Sequence, residues 1–547
     1  MTEYKILTPD FWITKKDELF ADIPMHGYER EENERYIVWY NGILARYDGR
    51  KIAFPELAAM AFSDQLVFSD YLGWYKLVAY DKVASAWLFF GDSCGSQYLF
   101  FDRSHARFSD RLLTLRAALG SEAEPDMKAL ADMIGRGTLF GEETLVRGLA
   151  KTDYGSYYLF RNGVFERRSK NLPSFSEMEG KKDLTDILAP VIAAIGEKKL
   201  CAVCTGGTDS RAVLAALSSL GAEPELVITG HKDNPDLKIA AQVAASLGSE
   251  LTVIDPSVRE RKWLEKGLVM LDGMYDVVLS YRHYLKALWA CEKGCSFEFG
   301  GFAGEFYKNA FYTPARWLFC GKRNPEFYRR FLLSAPTQDW FGSMLRDAVP
   351  RCKKTLSDIA AEAGGEKPGL LMANRIGFAR LAAASGSITN GYSSACIKID
   401  PLMDRALVAA ASREGHRSHA MHMWQRRQIA KTCPRLGELP TDQGYSCSLR
   451  PLSLLAERCK RLVFFADRVF NRIRRKLGLG FKSSEQRYWD MDYVEARKDA
   501  MWQKTLTFCR EKGIIRKDVK ESDIPLNMTG RLMLVYMLVA PDAAKKH

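Results

Sequence analysis

The sequence predicts an α/β protein, and three observations lead there. From about Glu34 to Arg168 the chain reads as short apolar or alternating runs separated by Gly, Asp and Asn, among them YIVWYNGILARY, WYKLVAYD, SAWLFFGD, SQYLFF and GSYYLFRNGVFERR. That is the rhythm of strands and hairpins. From about Leu184 helices alternate with short buried strands, in the order TDILAPVIAAIG, LCAVC, SRAVLAALSSLG, ELVIT, DLKIAAQVAASLG and ELTVID, the pattern of a parallel, doubly wound sheet. Beyond about Pro314 the chain reads as helical, interrupted by the polar stretch LGELPTDQGYSCS and then by a basic segment. The expected division is an α+β domain over 1–175, a doubly wound domain over 184–450 and a helical extension over 451–547.

Composition sets the bounds. A chain of 547 residues with 47% hydrophobic content has ample core for two or three globular domains. The opening MTEYKILTPDFWITKKDELF mixes charges among its apolar positions and reads as neither a secretory leader nor a membrane span. The run LMLVYMLVA is about half a span long and is expected to be a buried helix. Twelve cysteines without regular spacing read as reduced thiols, hence a cytoplasmic location. Cys201 and Cys204 fall on opposite faces of a strand and are expected to be structural.

The net charge of +12 is concentrated in one place, since residues 458–482 carry nine basic side chains against the single acid Asp467. Within that segment Leu462, Phe465, Val469, Ile473 and Leu477 recur at steps of three or four, so one helical face is apolar and flanked by cations. Two readings stand side by side. One is peripheral attachment to an anionic surface at the inner membrane face or to a partner; the other is a core-packed helix with a solvated basic face. Nucleic acid is not an expected partner on this distribution, although RNA contact belongs to one alternative below.

The stretch CTGGTDSR, Cys204 to Arg211, joins the strand LCAV to the helix SRAVLAALSSL. Glycines at 206 and 207 let the backbone approach a ligand without a Cβ in the way. The N–H groups at the positive end of the helix favour a phosphate. Thr205, Thr208 and Ser210 offer hydroxyl donors, Asp209 suits a magnesium ion that neutralises the same phosphates, and Arg211 adds a fixed cation. No Gly-Lys-Ser/Thr follows and GxGxxG is absent, which excludes the two commonest nucleotide loops.

The spacing resembles the SGGxDS pyrophosphate loop of the N-type ATP pyrophosphatases, which split ATP between the α and β phosphates, with Thr205 in the first serine's place. The segment ELVITGHKDNPDLKIAAQVAASLGSELTVID resembles the corresponding stretch of asparagine synthetases, and by that resemblance Ile228, Thr229 and Gly230 lie beside the adenine. FEFGGFAGEFYKNAF resembles that family's GEGxDExFGGY loop. Gly300 and Glu305 match, Gly301 and Phe302 replace a glutamate and a glycine, and Gly304 stands where the family carries a metal-binding aspartate. Glu305 is then the carboxylate that shares magnesium with Asp209. IDPLMD resembles the PFLD turn, and GDSCGSQYLFF stands where RDxxGxxPLYY is usual in the glutamine amidotransferase half. The resemblance to asparagine synthetase-like amide ligases covers about the first four-fifths of the chain and is best from Cys201 to Asp255. It implies an Ntn-hydrolase-like α+β sandwich followed by an adenine nucleotide alpha hydrolase-like domain.

Two departures shape the functional expectation. Glutamine-using members carry a cysteine after the initiator Met as nucleophile; here position 2 is Thr2 and the following EYKILTPDF does not resemble the family's start. The first domain is therefore expected to be a retained scaffold, as in members that make β-lactam rings or macrolactams. The late loop LPTDQGYS also lacks the family's lysine, leaving Lys431, Arg435 or Arg450 as candidate replacements. The expected activity is an ATP- and Mg2+-dependent ligase that adenylates a carboxylic acid and joins it to ammonia or an amine, with Asp209, Glu305 and Arg211 as its catalytic residues. A uronic acid of a surface polysaccharide or an acid in natural-product synthesis suits the substrate. The alternatives are a non-catalytic nucleotide-binding scaffold and an RNA-modifying ATP pyrophosphatase.

Overall fold

A computed structural model describes residues 28–540 apart from 103–106, 121–122, 179–181, 309–338, 363–369, 415–417, 420, 443 and 477–487. Thr2 and residues 477–482 of the basic segment lie outside the described residues.

The N-terminal part is antiparallel. Its strands are β1 (Glu29–Glu32), β2 (Tyr36–Arg46), β3 (Tyr71–Asp81), β4 (Ala86–Gly91), β5 (Phe100–Asp102), β6 (Arg107–Ser109), β7 (Leu149–Lys151), β8 (Ser156–Arg161) and β9 (Val164–Ser169). They form one sheet in the order β1-β2-β3-β4-β8-β9 and a smaller one in the order β6-β5-β7. The long central pair β2 and β3 runs in unbroken register from Tyr36 opposite Asp81 to Arg46 opposite Tyr71.

Alternation sorts the side chains of this pair. Tyr36, Val38, Leu77 and Ala79 face helix α1 (Phe54–Phe62) and pack on its Leu57, Ala58 and Ala61. Trp39, Val78 and Phe89 face the other way, onto Leu99, Phe101 and Phe108. Farther along that second face, Ile43, Ala45, Leu72 and Trp74 join the core of the following part of the chain. A sheet buried on both faces explains why these strands are apolar almost throughout.

The next part is wound around a parallel sheet of β10 (Leu200–Val203), β11 (Glu225–Thr229), β12 (Leu251–Ile254), β13 (Phe297–Phe299) and β14 (Ile397–Ile399). Its order is β12-β11-β10-β13-β14, and each neighbouring pair is parallel. Strand order therefore reverses at β10, whose neighbours are the next strand on one side and a much later one on the other. The connections that follow β10 and its neighbour β13 thus run to opposite sides, and doubly wound sheets bind ligands at the carboxyl ends of strands at such a reversal.

Helices cover both faces. On one side α2 (Leu184–Ile195), α3 (Thr208–Ser219) and α4 (Pro235–Leu247) pack with Ala202 and Ile228 through Leu188, Val213, Leu214 and Val243. On the other, Cys201 and Val227 meet α5 (Val277–Glu292) through Val277, Tyr281 and Ala287. Cys201 and Cys204 belong to opposite cores, as alternation requires, and the described cysteines are free thiols.

The C-terminal part is helical. It includes α6 (Met423–Thr432), the 26-residue α7 (Pro451–Lys476), α8 (Tyr488–Lys498) and α9 (Thr529–Val539). The apolar run of α9 is a buried helix, with Leu532, Met533, Leu534 and Val535 wholly inaccessible. Among the described residues no helix is long and apolar enough to cross a membrane. On α7, Leu452, Leu455, Val463 and Phe470 are exposed, and Leu462 is 48% exposed. The side chains of Phe465, Val469 and Ile473 lie outside the described residues.

One buried ion pair ties α7 to the body. Arg426 of α6 and Glu457 of α7 are both inaccessible, and the guanidinium also donates to the Met421 and Ser448 carbonyls. Removing one partner strands the other charge in the interior, which costs about 3–5 kcal/mol. Arg426→Met is expected to lower the urea unfolding midpoint accordingly, and Arg426→Met combined with Glu457→Leu to recover most of the loss.

Candidate functional site

The turn Cys204–Gly207 follows β10 directly, so it stands at the carboxyl end of the central strand, and α3 starts at Thr208 with Gly207 as an N-cap that offers no side-chain acceptor. The first N–H groups of a helix lack intrahelical acceptors, and here no capping side chain supplies one. Within the turn, Thr205 Oγ1 and Ser210 Oγ lie 2.6 Å apart, and Gly207 N donates to Thr205 Oγ1 at 3.3 Å. Gly206 N donates to Asp236 Oδ1 at 2.6 Å, from the first turn of α4. That contact fixes the PDLK helix start against the turn, and burial raises the Asp236 carboxyl above its ordinary pKa although the Gly206 N–H pulls it down.

The loop after β13 closes on the same turn. Gly300 N donates to Ile399 O of β14 at 2.8 Å. A Cβ on Gly301 would stand 2.5 Å from Ser210 N, and one on Gly304 would stand 2.0 Å from Asp209 Cγ. Only bare backbone at these two positions lets the loops touch. The chain then makes a 3-10 turn over Gly304–Tyr307, entered through Ala303 at φ 70°. Phe306 and Tyr307 are fully buried; the Tyr307 hydroxyl donates to Leu402 O at 3.0 Å, and its ring lies against Trp424 at 4.2 Å.

Asp209, in the first turn of α3, is held from two sides. Its carboxylate accepts from Lys308 Nζ at 2.5 Å and from Gln425 Nε2 of α6 at 3.1 Å. Burial alone would depress the Lys308 pKa, but the facing carboxylate and its hydrogen bond leave it raised. Burial raises the Glu305 carboxyl; its own backbone N–H opposes that rise and Asp209 adds to it.

Arg211 has a different task from the one expected. It is fully buried, and its guanidinium donates to the carbonyls of Gly206, Leu436, Leu439 and Pro440 at 2.7–3.2 Å. A guanidinium spent on carbonyls anchors the late loop to the turn and has no fork left for a phosphate. Asp442 N completes the junction by donating to Gly206 O at 3.3 Å. The three candidate late-loop cations are elsewhere: Lys431 pairs with Asp183, Arg450 with Glu438, and Arg435 is exposed.

At the far side of the crevice, Ile228 is buried in the core, so it offers backbone rather than side chain. Thr229 is opposite Ile254, and Gly230 N donates to Ile254 O at 3.0 Å. Beyond them His231, Arg259 and Arg282 converge on Asp492 of α8, with Arg282 Nη2 at 2.6 Å and Arg259 Nη2 at 2.8 Å.

Sequence reasoning missed Lys308, Gln425, Asp236 and Asp492. For Lys308 a signal existed: it follows the FEFGGFAGEFY stretch directly, in the loop that carries Gly304 and Glu305. The donor set suits a magnesium ion carried in on phosphates, for which one or two carboxylates suffice, rather than a resident metal. Among the described residues no group of three or more His, Cys, Asp or Glu comes together as a metal site. Searched against protein-family models and against curated proteins, the chain matches none of either.

Arg211→Lys keeps the charge but cannot serve four carbonyls. It is expected to destabilise the fold by about 3 kcal/mol in equilibrium denaturation, whereas a residue acting on phosphate alone would leave the denaturation curve unchanged.

Proposed function

We propose that the chain is an ATP-dependent carbon-nitrogen ligase that adenylates a substrate carboxylate, releases pyrophosphate, and passes the acyl group to ammonia or a bound amine with release of AMP. The observation that carries this reading is the contact of Gly301 and Gly304 with Ser210 and Asp209 at the switch point of the parallel sheet. Two loops that resemble the two phosphate-handling loops of asparagine synthetase-like ligases thereby meet in one crevice, as such a reaction requires. The same reading takes the antiparallel part as an Ntn-hydrolase-like scaffold and the parallel part as an adenine nucleotide alpha hydrolase-like domain.

In this mechanism Gly206, Gly207, Thr208 and Ser210 cradle the phosphates, and the backbone at Ile228, Thr229 and Gly230 flanks the adenine. Orientation of the α-phosphate toward the acid is worth much of the rate, because a held pair reacts without further loss of translational freedom. Asp209 and Glu305 are the residues that would hold magnesium, which supplies charge neutralisation on the phosphates. The substrate carboxylate attacks the α-phosphorus, the bond to the bridging oxygen breaks, and pyrophosphate leaves. The amine then attacks the acyl carbon and AMP departs.

The acid is a uronic acid of a surface polysaccharide or an acid in natural-product synthesis. Exposed apolar positions on α7 beside Arg458 and Lys460 support a peripheral contact with the anionic inner membrane face through 458–482. The pairing of Asp209 with Lys308, with glycine at 304, favours one rival, a nucleotide-binding scaffold without catalysis.

Isotope exchange from labelled pyrophosphate into ATP separates the two. With magnesium and pools of uronic acids, amino acids and their nucleotide-linked forms, exchange is expected with one pool and is expected to fall by at least about 10²–10³ in Asp209→Ala. ATP binding without exchange in any pool would establish the scaffold instead.

A further inference from the structure

We propose that Lys308 is the phosphate-binding cation of this site, paired with Asp209 and transferred to the pyrophosphate end of the nucleotide when it binds. The inference rests on the adenylating reading and names a residue that the reading lacked.

Charge comes first. A triphosphate brings several negative charges to a turn whose own arginine is spent on carbonyls. The candidate late-loop cations are exposed or paired on the surface. Lys308 reaches the turn itself, with Nζ 2.5 Å from Asp209 Oδ2. Its side chain is 26% exposed and that of Asp209 is 21% exposed, so the pair is mostly shielded yet still reachable by an incoming ligand.

Space comes second. Asp209 rests on the bare backbone of Gly304, where a Cβ would overlap its carboxylate. Any larger residue at 304 would force the carboxylate out of this position. The glycine that removes one carboxylate from the loop therefore also makes room for the lysine to hold the other.

Rigidity comes third. Lys308 directly follows a turn whose Phe306 and Tyr307 are fully buried, with Tyr307 bonded to Leu402 O and packed on Trp424. The root of the lysine is thus fixed while its four-carbon stem is free to swing. Once seated on the phosphates, a cation anchored at its root stabilises charge that builds on departing pyrophosphate. Asp209, released from the lysine, keeps Gln425 Nε2 and gains a free oxygen for magnesium carried by the phosphates.

Calorimetric titration of the full chain with inorganic pyrophosphate, with and without magnesium, tests this against Lys308→Ala, Lys308→Arg and the surface control Lys431→Ala. Lys308→Ala is expected to weaken metal-free pyrophosphate binding about 10–100-fold, the loss of one charge-assisted contact. Lys308→Arg is expected to retain binding, and Lys431→Ala to match the wild type. Asp209→Asn is expected to tighten metal-free binding, because it frees the lysine, and to abolish the response to magnesium. Thermal melts of each variant show whether a loss reflects unfolding, and Lys308→Arg keeps the test informative if Lys308→Ala is unstable. If the wild type binds pyrophosphate and ATP while Lys308→Ala binds both equally well, the assignment of Lys308 falls and the ligase reading stands. If the wild type binds neither, the ligase reading falls and takes this inference with it.

Discussion

Contact between two stretches of bare backbone governs this site. Gly301 lies against the backbone of Ser210, and Gly304 beneath the carboxylate of Asp209, at distances that leave no room for a Cβ. Because α3 begins where the turn ends, anything that holds the 300–305 loop against Ser210 also sets where the first N–H groups of the helix point. Because Asp209 settles over Gly304, its remaining contacts, Lys308 on one side and Gln425 on the other, follow from the same approach. A Cβ at either glycine would stand 2.5 Å from Ser210 N or 2.0 Å from Asp209 Cγ, so the loops would have to move apart.

The rest of the interior serves that approach. Arg211 carries a charge into the core and offsets its desolvation with four carbonyl acceptors, two of them from the late loop and one from the helical turn just before it. Its two terminal nitrogens carry all of these bonds, and a buried charge left without them would be costly, so the late loop is held where its carbonyls converge. Below the 300–305 loop, Asp400 accepts from Lys398 Nζ at 2.7 Å and from Thr389 Oγ1 at 3.2 Å, with Lys398 and Asp400 both buried. These fully enclosed polar contacts fix β14, which in turn holds Gly300 through Ile399 O.

The antiparallel part reaches the same region from the other side. Ile43, Leu72 and Trp74 share a core with Leu402, Met403 and Trp424, while the Tyr47 hydroxyl donates to Asp404 Oδ2 at 2.6 Å. Tyr98 N donates to Asn390 Oδ1 at 3.0 Å, and Gln97 Nε2 bonds Ser393. The 401–404 turn supports Tyr307 through Leu402 O, so one face of the six-stranded sheet buttresses the loop that bears Lys308. Packing and these hydrogen bonds together make up that support.

What the sequence determined by itself follows from local physics. Alternation in YIVWYNGILARY and WYKLVAYD dictates two-faced strands, and a short buried strand, a Gly-Gly turn and an Ala-rich helix dictate a turn at the carboxyl end of a parallel strand. The mixed α/β architecture, the placement of Thr205 to Ser210 and the opposite faces of Cys201 and Cys204 were legible because each depends on neighbours a few residues apart. The roles of Arg211 and Lys308 were not. Arg211 reads as an exposed cation beside a phosphate turn until carbonyls more than two hundred residues later fold over it. Lys308 lies 99 residues beyond Asp209, and Gln425 lies 216 beyond it. Whether such groups meet depends on strand order and on the absence of a Cβ at Gly304, and only the tertiary structure decides both, because a contact across the crevice exists only once the crevice has closed.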